Sequence, residues 1–136
     1  MNEIFQVAPG ALAEASAIDI VSTMVKALDA KKASDIKVLR IAEKTILADY
    51  FVICNGTSTT QVKTLADEVE YQLHRGSAPN VNLEGNDCID WKIVDTKDVI
   101  LHVFTNEARE YYKLEKLWAD AEEIDINNFI NNSTEE

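Results

Sequence analysis

Residues 50–58 read YFVICNGTS, an apolar run that stops at a glycine and passes into a helix start. Consecutive apolar positions with β-branched and aromatic side chains predict a strand that is covered on both faces and lies inside a sheet. Ser58 and Gln61 then fit a capping box, and the apolar spacing over residues 62–73 predicts one buried helical stripe. Gly76 is a natural end for that helix. The fold is therefore predicted to form around an interior strand and the helix that follows it.

The segments before this strand predict a helix and a second strand. Ser16, with Asp19 three residues later, can cap a helix whose apolar face continues to about Lys31. Residues 36–41 are rich in β-branched side chains and predict a strand. Residues 1–15 are small and weakly patterned, with a Pro-Gly breaker, and we expect them to form a flexible lead-in.

The segments after the central helix predict a hairpin and a last helix. Residues 91–95 and 98–104 are strand-like runs that only a two-residue turn separates. A short strand over 81–83 is expected before them and a helix over 107–118 after them. Residues 121–136 are rich in acids and are expected to form a flexible tail.

This order of elements predicts one α/β domain over residues 16–120, with a mixed β-sheet of about five strands flanked by helices. The chain of 136 residues, 46% of them apolar, is long enough for one such core.

The charge balance restricts the class of partner. The chain has 24 Asp and Glu against 13 Lys and Arg, a formal net charge of -11. That sign opposes a phosphate backbone and an anionic membrane, so we expect little or no direct nucleic-acid contact and no membrane association. No run approaches the roughly 18 apolar residues of a membrane span. A basic protein is the expected partner.

Cysteine usage and the N-terminal composition predict a reducing, cytoplasmic location. Cys54 and Cys88 do not form a CxxC motif. No basic residue precedes Lys26, whereas a signal sequence begins with a basic segment. With His74 and His102 the two cysteines are the only soft metal ligands, and none has zinc-site spacing, so neither a metal nor a cofactor is expected. Cys54 ends an apolar strand and is predicted to be a buried core thiol.

The strand that ends at the Gly-Thr-Ser turn of residues 56–58 also permits an enzyme hypothesis. In nucleotidyltransferases such a turn lies beside paired carboxylates that hold the magnesium ions of a nucleoside triphosphate. The candidate acids Asp67, Glu68 and Glu70 instead fall in the middle of the amphipathic helix, where they cannot converge on a metal. A metal-dependent, nucleotidyltransferase-like nucleotide-binding protein is kept as the alternative hypothesis.

The last third of the chain mixes core and interface features. His102 stands inside the apolar strand 98–104, where a lone histidine is usually a satisfied core or edge residue. Arg109, Tyr112 and Trp118 follow closely, and arginine and aromatic residues are the types enriched at interface centres. The segment is therefore either core or a recognition face.

Two blocks resemble the Iojap-like ribosomal silencing factors, and the resemblance covers about residues 20–120. The first block spans residues 48–62. The second is more specific, because it keeps the family's order and spacing at Trp91, Asp95, Asp98, Val99, His102, Val103, Phe104, Glu107, Ala108, Arg109, Tyr112, Leu114, Glu115, Leu117 and Trp118. The departures from the family pattern are Thr60, Lys97 and the pair Thr105-Asn106.

The resemblance implies a fold similar to the nucleotidyltransferases but without their catalytic carboxylates, and so no enzyme activity. Members dock on the fourteenth protein of the large ribosomal subunit, at the face that meets the small subunit, and repress translation by occupancy. The residues expected to build or support this docking surface are Trp91, Asp95, His102, Glu107, Arg109, Tyr112, Glu115 and Trp118. Phe104 and Leu114 are expected to form the core beneath it. A homodimer through the same aromatic face stays open.

Overall fold

A computed structural model describes residues 5–85 and 88–130. In chain order its elements are α1 (Ala17–Ala30), β1 (Ser34–Arg40), β2 (Tyr50–Gly56), α2 (Thr59–Arg75), β3 (Asn82–Glu84), β4 (Trp91–Asp95), β5 (Val99–Thr105), α3 (Asn106–Tyr112), α4 (Leu114–Leu117), β6 (Glu122–Ile124) and a 3-10 turn (Ile126–Asn128). None of the helices within these ranges is long and apolar enough to cross a membrane.

The sheet is mixed and has six strands in the order β3-β4-β5-β2-β1-β6, one more than predicted. β2 and β5 pair in parallel at its centre, and the other neighbours are antiparallel. Every residue of β2 after Tyr50 is buried, which confirms the prediction of an interior strand. The α/β class and the mixed sheet are confirmed as well.

The predicted helix starts are also confirmed. The Ser16 side chain accepts the Asp19 backbone N–H, and the Asp19 carboxylate accepts the Ser16 backbone N–H in return. Ser58 caps α2 by accepting the Gln61 backbone N–H at 3.1 Å. The Gln61 side chain turns to the Thr57 backbone N–H at 2.6 Å rather than to that of Ser58, so the second half of that box is displaced by one residue.

The two faces of the sheet are covered differently. On the helix face, α1 and α2 bury the side chains of Val38, Val52, Cys54, Val94, Leu101 and Val103. Cys54 is completely buried, as predicted, and burial raises the pKa of its thiol to about 12. The opposite face, called here the open face, carries Leu39, Phe51, Ile53, Ile100, His102 and Phe104, and α3 and α4 cover it only in part. Strand alternation sends neighbouring residues to opposite faces.

The segment expected to be a flexible lead-in packs against the end of α2. Val7 and Leu12 are each 7% exposed and belong to the helix-face core. The buried Gln72 accepts the Val7 backbone N–H at 2.8 Å, and the Arg75 Nε–H donates to the Val7 carbonyl at 2.6 Å. A Cβ on Gly76 would lie 2.7 Å from Leu12, so glycine permits this close approach. These partners are more than sixty residues away in the sequence and leave no local pattern.

The acidic segment after residue 120, expected to be a flexible tail, contributes the sixth strand. β6 pairs antiparallel with β1, matching Glu122 with Arg40 and Ile124 with Val38. Ile124, Phe129 and other apolar side chains of this segment pack against the helix-face core. The acidic residues between these apolar residues obscure the sequence pattern of the strand. The strand pairs with the edge of β1 that would otherwise be free. The last part of the expected tail, residues 131–136, lies outside the described residues.

Candidate docking surface

The register of the hairpin builds an aromatic cluster on the open face. Trp91 is paired with Phe104 across β4 and β5, and Ile93 with His102, so these side chains share one face. The Trp91 ring lies 4.9 Å from the Phe104 ring and 4.8 Å from the Tyr112 ring, measured between centroids. Parallel pairing of β2 with β5 adds Phe51, whose ring lies 4.7 Å from the His102 ring.

Trp118 closes the other side of this cluster. Its ring meets the Phe51 ring edge-on at 5.4 Å, and it packs on the open-face core as a half-buried residue. Of the other aromatic positions predicted from the sequence, Trp91 lies beside His102 and Trp118 lies beside Phe51, whereas Tyr112 packs on Trp91 and Phe104. Phe51 itself was not predicted as a site residue, because the parallel register of β2 and β5 leaves no local signal. Phe104 and Leu114 belong to the core beneath this surface, as expected.

Large apolar side chains are exposed around the aromatic cluster. Tyr111 is 78% exposed and Tyr112 45%, both at the end of α3, while Leu117 at the end of α4 is 75% exposed. The loop between β1 and β2 exposes Ile46 and Leu47. Lys44 of this loop forms an ion pair with Asp120, just after α4, at 3.2 Å. Apolar surface concentrated in this way is typical of an interaction site.

His102 is neutral and holds its proton on Nε2. The Trp91 Nε1–H donates to His102 Nδ1 at 3.2 Å, so Nδ1 must be an acceptor. Burial lowers the pKa of His102 to about 4, which keeps the ring uncharged at neutral pH. His102 is 6% exposed, and its Nε2 has no hydrogen-bond partner among residues 5–85 and 88–130.

Arg109, predicted to build or support the docking surface, binds inside the protein. Its side chain is 13% exposed and donates to the Asp35 carbonyl at 2.6 Å and to the Asn55 side-chain oxygen. It also binds both carboxylate oxygens of Glu115, at 3.0 and 3.1 Å. Arg109 thus joins the start of β1, the end of β2, α3 and α4.

The Arg109–Glu115 pair depends on a break in the predicted helix over residues 107–118. Residues six apart in a continuous helix are rotated by about 240° and separated by about 9 Å, so they cannot pair. Lys113 takes the left-handed conformation, at φ 50°, and divides the segment into α3 and α4. The prediction of one helix is therefore wrong, and the break is what brings Glu115 back to Arg109.

Glu115 is held in its charged form by two cations. The hydrogen bonds from Arg109, helped by Lys37 at 3.0 Å, lower the pKa of its carboxyl to about 2. Like Arg109, it is engaged within the protein. The remaining two predicted residues lie apart from the aromatic cluster: Asp95 accepts the Lys97 backbone N–H in the hairpin turn at 2.7 Å, and Glu107 is exposed in the first turn of α3.

The structure offers little to the nucleotide-binding alternative. An open cleft of about 890 Å³ lies where β2 ends, beside Asn55, Asn106 and Arg109. The cations around it are matched in number by acids: Lys37, Arg109, Lys113 and Lys116 face Asp35, Glu110, Glu115 and Glu123. A triphosphate would meet no net positive charge there. Across the described ranges, no three His, Cys, Asp or Glu side chains form a group that could hold a metal ion.

Comparison with known proteins gives a consistent result. The family model described as "Ribosomal silencing factor during starvation" matches residues 14–136. The ribosomal silencing factor RsfS of Bacillus subtilis is 40% identical over 107 residues, which cover 79% of this chain and 91% of the relative. A mouse protein named "Mitochondrial assembly of ribosomal large subunit protein 1" is 36% identical over 101 residues, 44% of its length.

Solved structures agree with the fold. A crystal structure of a protein from Chromobacterium violaceum superposes with a TM-score of 0.73 at 33% identity, over 76% of this chain and 87% of that one. A second, from Bacillus halodurans, gives a TM-score of 0.70 at 32% identity, over 79% of this chain and 98% of that one.

Proposed function

Since this chain belongs to the ribosomal silencing factor family, we propose that it binds the large ribosomal subunit through its open face and blocks joining of the small subunit. The observation that carries the proposal is the aromatic cluster of the open face with the exposed apolar side chains around it. The helix face is already covered by α1 and α2, so the open face is the surface that a partner can still cover.

The partner proposed is the fourteenth protein of the large subunit, as the family resemblance implies. A net charge of -11 supports a protein partner rather than the surrounding ribosomal RNA. Acidic side chains attract a basic protein over distances near the Debye length and repel phosphates over the same range. Attraction and repulsion together would select one protein patch on an RNA-rich particle.

The mechanism proposed is occupancy without chemistry, and its place is the cytoplasm. A rigid domain on the joining face of the large subunit excludes the small subunit by its volume alone. Repression of translation then follows from the fraction of large subunits that carry the factor. The bacterial relatives named as ribosomal silencing factors support this role.

Sedimentation of purified ribosomal subunits tests the proposal. We expect the protein to migrate with large subunits, not with small subunits, and to reduce the amount of joined particles as its concentration rises. Prior joining of the subunits should protect them, because the site would then be covered. If the protein stays at the top of the gradient, or binds without reducing joined particles, the proposed function is wrong.

A further inference from the structure

We propose that His102 is a specificity-determining residue of the docking surface, and that its Nε2–H donates a hydrogen bond to an uncharged carbonyl oxygen of the docked protein. The inference rests on the proposed function and extends it to one atom. Nε2 of His102 is the one buried side-chain nitrogen or oxygen, among residues 5–85 and 88–130, that lacks a hydrogen-bond partner.

Whether Nε2 of His102 donates or accepts the missing hydrogen bond follows from the protonation of the other ring nitrogen, Nδ1. Trp91 donates to Nδ1, so Nδ1 has no proton and the neutral ring must hold its proton on Nε2. Nε2 is therefore a donor and needs an acceptor. Buried donors in folded proteins are paired in the great majority of cases, and an unpaired one weakens the free protein. A partner that supplies the acceptor recovers that loss on binding.

The position of His102 fits this role. Its ring lies among Phe51, Trp91 and Phe104 on the open face, on the side of the sheet opposite α1 and α2. It is 6% exposed, so it lies directly beneath the surface that a partner would cover. Because Nε2 is covered in the free protein, docking requires a side-chain adjustment there, of a kind that is common when interfaces form.

The acceptor class follows from charge. A carboxylate brought to this apolar site would lose its hydration without meeting a cation, because the imidazole is neutral. The chain's charge of -11 opposes carboxylate and phosphate alike. A backbone or amide carbonyl can accept one neutral donor at much lower desolvation cost. A hydrogen bond from Nε2–H to such a carbonyl would also fix the position of the partner on an otherwise apolar surface.

Binding of His102→Phe to purified large subunits, and to the isolated fourteenth ribosomal protein, tests the inference. Phenylalanine keeps a ring among the aromatic neighbours but has no donor, so we expect affinity to fall about tenfold, the factor that about 1.4 kcal/mol represents. His102→Gln, whose amide nitrogen can reach a similar position, should recover part of that affinity. Thr23→Val, which removes a buried hydroxyl on α1, is the matched control and should bind like the wild type.

The outcomes separate the inference from the proposed function. If the wild type binds and His102→Phe binds equally well, the donor role is wrong and the proposed function stands. If His102→Phe loses affinity for whole subunits but not for the isolated protein, the acceptor lies outside the fourteenth protein and its assignment to the docked protein is wrong. If the wild type binds neither probe, the proposed function and the inference fail together.

Discussion

Arg109→Met is expected to lower the free energy of unfolding by about 3 kcal/mol, in the range seen when one partner of a buried ion pair is removed. The substitution keeps the aliphatic bulk but leaves the Asp35 carbonyl, the Asn55 oxygen and one side of Glu115 without their donor. The start of β1, the end of β2, α3 and α4 then lose the side chain that joins them. Urea unfolding followed by tryptophan fluorescence measures the loss, and Trp91 and Trp118 both report on the open face.

Arg40→Met is the matched control for this change. Arg40 also pairs with a carboxylate, at 3.1 Å from Glu43, but its side chain is 38% exposed and that of Glu43 77%. Exposed pairs contribute about 0–1 kcal/mol, so this variant should remain close to the wild type. Equal stability of the two variants would show that Arg109 is an ordinary surface arginine, contrary to the role assigned to it.

The pH dependence gives an independent check on the same pair. The folded pKa of Glu115, about 2, lies below its ordinary value of 4.5. A carboxyl with a lowered folded pKa contributes stability that is complete above its unfolded pKa and is lost as the pH falls through the folded one. The wild type should therefore lose this contribution between about pH 4.5 and 2, and Arg109→Met should lose less over that interval.

Trp118→Ala is expected to weaken binding to large subunits by at least about 30-fold, since central aromatic residues of interfaces contribute about 2 kcal/mol or more. Trp118 is half-buried against Phe51, so its removal deletes both contact area and the edge that shapes the aromatic cluster. Titration of large subunits with fluorescently labelled protein gives the affinity. Circular dichroism on the same samples verifies that the variant is folded.

Tyr71→Ala is the matched control, because Tyr71 is an aromatic residue of α2 that is 51% exposed outside the open face. It should bind like the wild type. Sedimentation equilibrium of Trp118→Ala addresses the homodimer alternative. Loss of self-association with unchanged binding to large subunits would assign the aromatic surface to a dimer and would contradict the docking role.

The sequence predicts the centre of this fold well because the deciding signals there are local. The apolar run of β2, the Ser16 and Ser58 caps and the stripe of α2 each depend on neighbours within a turn or a strand. The hairpin was predicted despite Lys97, which takes the positive φ of 79° that glycine adopts more easily.

The sequence predicts poorly what distant contacts decide. Val7 is ordered by Gln72 and Arg75, and β6 by its pairing with β1, so neither carries a recognisable local pattern. The break at Lys113 is likewise stabilised by Arg109, which holds Glu115 across it. For the candidate site, the sequence predicted Trp91 and His102 as site residues, but the antiparallel register of β4 and β5 places them on one face and the parallel pairing of β2 and β5 brings Phe51 to them.

Photo-crosslinking from defined positions tests the central claim, docking through the open face, most directly. A benzophenone amino acid placed at Tyr112 or at Leu117, both exposed beside the aromatic cluster, would be irradiated with purified large subunits, and Tyr71 on α2 would serve as the helix-side position. We predict crosslinks from Tyr112 and Leu117 to the fourteenth protein of the large subunit and none from Tyr71. Crosslinks from Tyr71 alone, with none from the open face, would contradict this account.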